Sequence, residues 1–250
     1  MDLLPIPDGS ISTLEALEEL RSARELRPIG RLADASNATL LCELVGKRSL
    51  QVIYKPIRGE QPLWDFPDGT LAGREVAAFQ VSEALGLCVV PPTVLRDGPF
   101  GEGAVQLWIE HLGVQRAIDA VNESDAALRP IVLLDAIINN GDRKAGHLLP
   151  VSESRILGVD HGVTFAVQPK LRTVLWSWRS EELTPAERAV LANGSDLLAA
   201  TSPDSLSSHL DGLISSEEVK ALRMRIDNLL TANRFPEPSP EWPAFPWPLV

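Results

Sequence analysis

LDAIINNGDRKAGHLL, residues 134–149, carries an apolar helix-like run into a tight Asn-Asn-Gly turn, and GVDHG follows at residues 158–162. The turn presents Asp142 beside two basic residues. A short apolar strand then delivers a second aspartate, Asp160. Because an apolar helix and an apolar strand are both buried elements, we expect the two carboxylates to lie on loops held by a rigid frame.

Two such carboxylates match the needs of phosphoryl transfer. One carboxylate orients the attacking hydroxyl, a second holds magnesium on the nucleotide phosphates, and cations neutralise the transferred charge. In protein kinases a catalytic Asp is followed by four residues and a metal-binding Asn, and later by Asp-Phe-Gly. Here His147 lies at that offset from Asp142, and Asp160-His161-Gly162 stands for Asp-Phe-Gly.

The order and spacing of these motifs resemble the atypical kinase-like families: bacterial proteins similar to phosphatidylinositol 3-/4-kinases, the HipA-type kinases and the secreted FAM20-type kinases. More narrowly, the chain resembles short actinobacterial kinase-domain proteins of uncertain substrate. The resemblance covers roughly residues 27–180. It implies an α+β, two-lobed atypical protein-kinase-like fold, with an antiparallel β N-lobe carrying one helix and a mainly helical C-lobe. It also implies ATP as the phosphoryl donor and Mg²⁺ or Mn²⁺ as the metal.

The motifs assign a role to each polar residue of the two loops. Asp142 is the predicted catalytic base, and Arg143 and Lys144 either stabilise phosphate charge or pair with an acidic neighbour. Asp160 is the predicted metal ligand. His147 is the second candidate ligand, but imidazole binds magnesium less readily than oxygen does. The alternative is a histidine that orients one of the two aspartates.

Lys55 and Glu75 form the second part of the predicted site. Lys55 ends an apolar strand at residues 51–56, where burial of an unpaired ammonium would be costly. Kinases pair such a lysine with a helix glutamate while it holds the nucleotide phosphates. Glu75 lies near the start of a predicted helix over residues 72–86, so we expect an ion pair between them.

Two further segments are expected to contact the nucleotide. Ser36 and Asn37 lie in a small-residue hairpin loop that would cover the phosphates, although turn chemistry alone also explains them. The resemblance places the adenine against backbone groups of Glu110 to Leu112, at the crossover between lobes. The loop at residues 57–70 either covers the substrate or plugs the space between strand and helix.

The pattern predicts three regions: an N-terminal lobe over residues 1–110, a helical C-terminal lobe over 111–234 and a Pro/Trp-rich tail over 235–250. The tail would be extended, and would either wrap the domain or dock on a partner. The remaining element predictions are a capped helix from Ser12 to about Glu25, strands at 28–32, 38–44, 88–95, 103–109 and 156–160, a helix from Ser124 to 138, and helices after Thr184 and Ser215.

The segment at residues 170–178 carries two further predictions. Lys170 and Arg172 would meet an acidic substrate, and Trp176 and Trp178 would anchor their segment by packing.

Composition narrows the class of protein. The 250 residues are 44% hydrophobic and 23% charged, which is ordinary for a globular protein. The net charge of -11 argues against nucleic acid or an anionic membrane as a partner. Apolar runs are too short to span a bilayer, the start does not resemble a signal peptide, and we expect a cytoplasmic protein. The two cysteines favour neither a disulfide framework nor a zinc site.

The expected partners are therefore a nucleotide and a phosphate acceptor that the sequence does not identify. Two alternatives stay open. The first is a pseudokinase, a nucleotide-binding or interaction module whose tail engages a partner, since His147 and His161 depart from the kinase pattern. The second is nucleotidyl transfer or phosphate hydrolysis in the same cleft.

Overall fold

The computed structural model describes residues 3–6, 9–32, 37–203 and 205–250. The chain begins with a two-stranded hairpin, β1 (Leu3–Ile6) and β2 (Gly9–Ser12), which runs directly into helix α1 (Thr13–Ser22). The predicted capping box is confirmed, because Ser12 accepts from the Glu15 amide and Glu15 accepts from the Ser12 amide. The helix ends three residues before Glu25, the end that we predicted, because Glu25 already begins the next strand.

An antiparallel sheet of five strands, in the order β3-β4-β5-β7-β6, forms the first half of the molecule. Helix α2 (Leu71–Ala84) connects β5 to β6 and packs on the sheet. The strands are β3 (Glu25–Arg31), β4 (Leu40–Val45), β5 (Ser49–Pro56), β6 (Thr93–Gly98) and β7 (Gly101–Leu107). The antiparallel sheet and the helix that packs on it agree with the predicted antiparallel lobe with one helix.

The second half is mainly helical, with one small hairpin. In chain order it contains α3 (Val114–Glu123), α4 (Arg129–Ile138), β8 (Leu148–Ser152), β9 (Arg155–Gly158), α5 (Pro185–Ala199), α6 (Leu206–Leu210) and α7 (Ser216–Ala232). The predicted starts at Thr184 and Ser215 are confirmed, since both residues close capping boxes. The α+β fold class is confirmed as well.

Two element predictions were wrong in detail, and one helix was missed. Ser124 does not begin a helix: it ends α3 in the left-handed conformation, with φ 54°, and α4 starts at Arg129. The sequence analysis did not identify α3. The strand predicted from residue 88 begins only at Thr93, because two prolines, Pro91 and Pro92, lack the amide that a ladder needs.

The two largest buried clusters hold the two halves of the molecule together. The smaller one lies between the sheet and α1 and includes Leu20, Val52 and Leu107. The larger one lies among the helices, where α2 contributes Phe79 and α4 contributes Ile137. Each buried side chain of this size is worth about 1.5–3 kcal/mol in hydrophobic free energy. The clefts and loops between the clusters are where polar side chains gather.

The tail packs against the rest of the protein, so of the two predicted alternatives it wraps the domain. The amide of Thr173 and the indole of Trp176 both donate to the carbonyl of Ala244, at 3.1 and 2.8 Å. The amide of Ala145 donates to the carbonyl of Leu249 at 2.9 Å. Trp176 and Trp178 are buried, as predicted for packing anchors. The tail thus runs from the segment after the Asp-His-Gly motif to the loop of Asp142.

The loop at residues 57–70 packs against the tail and against Lys170. Trp64 stacks on Trp242 of the tail, with ring centroids 6.0 Å apart. The ammonium of Lys170 lies 4.8 Å from the Trp242 ring centroid and 2.7 Å from a carboxylate oxygen of Asp65. Lys170 is therefore buried and paired, so the prediction that it meets an acidic substrate was wrong. The loop packs between the sheet lobe and the tail.

The helices and the two cysteines can be compared with the predictions on membrane spans and disulfides. None of the helices in the described part of the chain has the length and apolar character that crossing a bilayer requires. Cys42 is buried, and no disulfide joins Cys42 to Cys88.

Gly103 provides a test of the sheet packing. A Cβ at this position would lie 2.7 Å from the Cα of Pro56 and closer still to the carbonyl oxygen of Lys55. We expect Gly103→Ala to lower the free energy of unfolding by about 1–3 kcal/mol or more, since backbone cannot move aside cheaply. Chemical denaturation measures the change.

Gly30→Ala is the matched control. Among the described residues no heavy atom lies within 4 Å of the Cβ that alanine would add at Gly30. We expect its effect to stay within about 0.5 kcal/mol. Equal effects of the two substitutions would contradict the described packing of β5 against β7.

Candidate active site

Lys55 connects the sheet to both of the carboxylates that flank it. Strand β5 carries the lysine, α2 carries Glu75, and Asp160 follows β9. The Lys55 ammonium bonds Oε1 of Glu75 directly and lies 2.9 Å from Oδ1 of Asp160. The second oxygen of Glu75 accepts the His161 amide at 2.9 Å. The predicted ion pair is present, and it extends to Asp160.

The charges of this group follow from its surroundings. Burial lowers the pKa of Lys55, but the carboxylates of Asp160 and Glu75 outweigh it and raise that pKa above its ordinary value. The Lys55 charge in turn holds the pKa of Asp160 well below its usual range. Burial raises the pKa of Glu75, and the Lys55 charge opposes this rise. At neutral pH Lys55 is an ammonium and Asp160 a carboxylate.

His147 lies against Asp160. Its Nε2 is 3.2 Å from Oδ2 of Asp160, so the two predicted metal ligands contact each other directly. Burial lowers the pKa of His147 despite the nearby carboxylate, and the ring is neutral at neutral pH. Its Nδ1 is buried and finds no hydrogen-bond partner among the described residues. This contact is the orienting arrangement that we left open as an alternative.

Arg143 occupies the interior. Its side chain is 0% exposed, and two guanidinium nitrogens bond the two oxygens of Asp135 at 2.9 Å each. A third nitrogen bonds the Val159 carbonyl at 2.8 Å. Of the two roles predicted for Arg143, the structure shows the acidic pair. A fully enclosed guanidinium does not reach a phosphate, so the prediction of direct catalysis by Arg143 does not fit its position.

The same guanidinium fixes His161. Nη2 of Arg143 lies 2.7 Å from Nε2 of His161. Arginine only donates, so Nε2 accepts and the ring proton belongs on Nδ1. Burial, reinforced by the charge of Arg143, lowers the pKa of His161 well below its ordinary value. The histidine that replaces the hydrophobic residue of Asp-Phe-Gly is therefore a neutral, buried hydrogen-bond acceptor.

The loop of Asp142 is held by the same network. The Asp142 amide donates to Oδ1 of Asn140 at 2.9 Å, and Nδ2 of Asn140 donates to Asp135 at 2.9 Å. The Asp142 side chain is 28% exposed and pairs with Lys144, 3.1 Å from Nζ to Oδ2. A carboxylate that is fixed through its backbone and open at its tip can meet a substrate. Asp142 and Lys144 thus differ from Arg143, which is enclosed.

A cavity of about 230 Å³ opens beside Lys55 and Asp160. Its walls are largely apolar and come from the sheet on one side and from the β8–β9 hairpin on the other. The lining side chains from the sheet and crossover are Leu32, Thr39, Ile53, Gln106, Leu107, Trp108, Ile109 and His111, and Leu149 and Val159 come from the hairpin. The cavity is thus a largely apolar space that Lys55 and Asp160 border.

The structure does not bring every predicted contact to the cavity. Glu110 and Leu112 are exposed and do not line it, and the Leu112 amide already donates to the Pro150 carbonyl at 2.8 Å. His111, between these two residues, does line the cavity, together with Trp108 and Ile109. The contact of the adenine with this segment stays a prediction. Asn37 accepts the Gln61 amide at 2.7 Å and also stays outside. Ser36 lies outside the described residues.

Sequence reasoning missed the partners that position the site. Asp135 is an acidic residue within an otherwise apolar helix, and a buried carboxylate requires a partner. That signal was present in the sequence. Asn140 and Gln106 carried no such signal in the sequence. The Gln106 side-chain amide donates to Thr93 at 2.8 Å in the cavity wall. Among the described residues, no cluster of three or more His, Cys, Asp and Glu side chains forms a metal site.

Comparison with solved structures shows what this architecture is. The chain aligns with the Golgi casein kinase crystallised with Mn/ADP, at a TM-score of 0.60 and 15% identity, covering 88% of this chain and 75% of that one. It aligns with hydra Fam20 bound to a sugar at a TM-score of 0.55 and 15% identity, covering 88% and 87%. The fold is that of the atypical kinases.

The particular family follows from sequence. The chain is 40% identical over 260 aligned residues to Protein Rv2133c of Mycobacterium tuberculosis strain ATCC 25618 / H37Rv, covering 90% of this chain and 92% of that protein. It belongs to the family of Protein Rv2133c. No protein-family model matches the sequence.

Removing the Arg143 guanidinium tests its structural role. We expect Arg143→Met to lower the free energy of unfolding by about 3–5 kcal/mol, because Asp135 is left as an uncompensated buried charge. The double variant Asp135→Leu/Arg143→Met should lose less free energy of unfolding than the single variant Arg143→Met. Arg27→Met, at an exposed pair with Glu25, should leave stability nearly unchanged. A double variant less stable than Arg143→Met would contradict the assignment.

The buried histidines predict a pH dependence of stability. Their folded-state pKa values lie below the unfolded value of about 6.5, so the unfolded chain binds more protons below that pH. Stability should fall as the pH drops from 7 to 5, by up to about 1.4 kcal/mol per pH unit for His161. His161→Gln should flatten this slope, whereas His209→Gln, at an exposed ring, should not. Equal slopes in wild type and His161→Gln would refute the buried neutral state.

Proposed function

We propose that this protein is a metal-dependent, kinase-type phosphotransferase that moves the γ-phosphoryl group of ATP to an acceptor hydroxyl. One observation carries the proposal. Lys55 lies between Glu75 and Asp160 at the edge of an apolar cavity, and the partly exposed Asp142 stands on the neighbouring loop. This is the set of charges that phosphoryl transfer needs, delivered by the elements that deliver it in kinases.

The cavity would hold the base of the nucleotide. Its volume of about 230 Å³ is below the roughly 300–1,000 Å³ of pockets that bury whole drug-sized ligands. The base would therefore lie between Ile53 and Leu149, and the phosphates would extend towards Lys55. The Golgi casein kinase of the same fold was crystallised with Mn/ADP, which supports the binding of a nucleotide and a divalent metal.

The residues around Asp160 fit a divalent cation that arrives with the nucleotide. Magnesium is commonly held by one or two carboxylates together with substrate phosphates, so a preformed cage of three protein ligands is not required. Asp160 is half exposed, ionised and adjacent to His147. Asp160 would hold the metal, with His147 as its neighbour. The metal, when bound, supplies positive charge that neutralises the phosphate oxygens.

The chain's own residues account for the other steps. Lys55 would bind the phosphates, held in place by Glu75. Asp142 would orient the acceptor hydroxyl and take its proton as the hydroxyl attacks. Lys144, paired with Asp142, would balance the charge of the transferred group. Arg143 would position these loops through Asp135 and Val159 without touching substrate.

The division into lobes at residues 1–110 and 111–234, with a tail at 235–250, is part of this proposal. The narrower resemblance to phosphatidylinositol 3-/4-kinases stays a prediction from the sequence, as does the cytoplasmic location. A protein or small-molecule acceptor agrees at least as well with a net charge of -11.

Turnover of labelled ATP tests the proposal. The purified protein is incubated with Mn²⁺ or Mg²⁺ and ATP labelled at the α- or the γ-phosphate, and ADP, AMP and self-labelling are measured. We expect ADP formation with transfer of the γ label only. Transfer of the α label would instead show nucleotidyl transfer, and neither label leaving ATP would contradict both reactions.

Matched variants locate the chemistry. Asp142→Asn should lower turnover by roughly 100-fold or more while nucleotide binding persists, because a general base is lost. Asp160→Asn should remove metal-dependent binding and turnover together. Asp97→Asn, at an exposed carboxylate near the end of strand β6, should behave as wild type. Full activity in both Asp142→Asn and Asp160→Asn would refute the site.

A further inference from the structure

A second cavity, of about 430 Å³, lies in the helical half. It is enclosed by α4, α7, the segment at residues 169–180 and the first part of the tail. Apolar side chains form much of its wall, among them Ala136, Leu229 and Phe235. No described residue lines both this cavity and the proposed nucleotide cleft. Its size falls within the roughly 300–1,000 Å³ of small-molecule pockets.

Arg225 of α7 brings a guanidinium group to this cavity, and the carboxylate of Glu218 lies near enough to oppose the effect of burial on its pKa. Its Nε donates to the Ile137 carbonyl at 2.7 Å, and Nη1 donates to the Ala166 carbonyl at 3.1 Å. Nη2 is buried and has no hydrogen-bond partner within the described chain. Carbonyl groups satisfy donors but carry no net charge. Burial lowers the pKa of Arg225 to about 10, so the guanidinium is still a cation at neutral pH.

The remaining charged groups of the wall leave this cation available. Arg234 is a second cation at the cavity and is exposed. Glu237 is the one carboxylate among the described lining residues. The Ser180 hydroxyl donates to it directly, and Nε of Arg179 lies 4.0 Å away. The wall therefore offers two guanidinium groups against one carboxylate that already has partners.

We propose that this cavity binds an amphipathic anion, a carboxylate attached to an apolar chain. The carboxylate would lie beside the guanidinium groups of Arg225 and Arg234, which both line the cavity, and the chain would lie against Leu229 and Phe235. A hydrogen bond between a guanidinium and a carboxylate is charge-assisted and about twice as strong as a neutral one.

Decanoate is a suitable probe, and decanol is the control with the same chain length and no charge. Isothermal titration of the full-length protein should show one decanoate bound per chain. Decanol should bind roughly 10- to 100-fold more weakly, because it lacks the charge-assisted bond. No decanoate binding, or equal affinity for decanol, would overturn the proposal.

Three variants test the location. Ala232→Trp places bulk in the cavity from an exposed position at the end of α7, without removing a hydrogen bond, and should abolish binding. Arg225→Gln should weaken decanoate binding towards that of decanol. Arg223→Gln, the same substitution at an exposed arginine two residues earlier on α7, should bind as wild type. Wild-type affinity in either Ala232→Trp or Arg225→Gln would overturn the assignment.

Discussion

The buried pair of Arg143 and Asp135 is the constraint on which the candidate site depends. It joins helix α4, the loop of Asp142 and the chain that leaves β9, because the same guanidinium bonds Asp135, the Val159 carbonyl and His161. A buried ion pair adds little net stability compared with well-packed apolar residues, since both charges lose their hydration. Its consequence is positional: the network fixes where Asp142 and Asp160 can lie.

Lys55 supplies the corresponding link from the sheet. Its ammonium bonds Glu75 on α2 and Asp160 beyond β9, so three elements that are distant in sequence meet at one charge. Both neighbouring histidines are neutral, because burial opposes their protonation. The cleft therefore keeps one central cation and a half-exposed carboxylate without further positive charge from the rings. A phosphate chain and its metal would meet complementary groups there.

Local sequence signals predicted much of this arrangement. A lysine that ends an apolar strand, a glutamate early in a helix and an aspartate after an apolar strand each have a physical cost that pairing relieves. Lys55, Glu75 and Asp160 do meet. Periodicity and capping boxes predicted most of the strands and helices, although not α3. Such signals are local, which is why they are readable in a single sequence.

What the sequence could not predict depends on tertiary contacts. Arg143 and Lys144 are neighbours in sequence, yet one points inward to Asp135 and the other lies beside Asp142, and no local pattern separates them. In the crossover, His111 lines the cavity while Glu110 and Leu112 do not, and the Leu112 amide bonds Pro150, a contact that no local pattern shows. The tail could be placed only once Trp242 had a partner in Trp64.

Thermal unfolding with ATP, with and without Mg²⁺ or Mn²⁺, tests the central claim most directly. A ligand that binds only the folded state stabilises it by about 2.7 kcal/mol at 100 times its dissociation constant. We expect ATP to raise the Tm of the wild type only when a metal is present, and we expect Lys55→Met to lose this rise. Lys47→Met, at an exposed lysine, should keep it. An unchanged Tm for wild type under both metals would contradict a nucleotide site in this cleft.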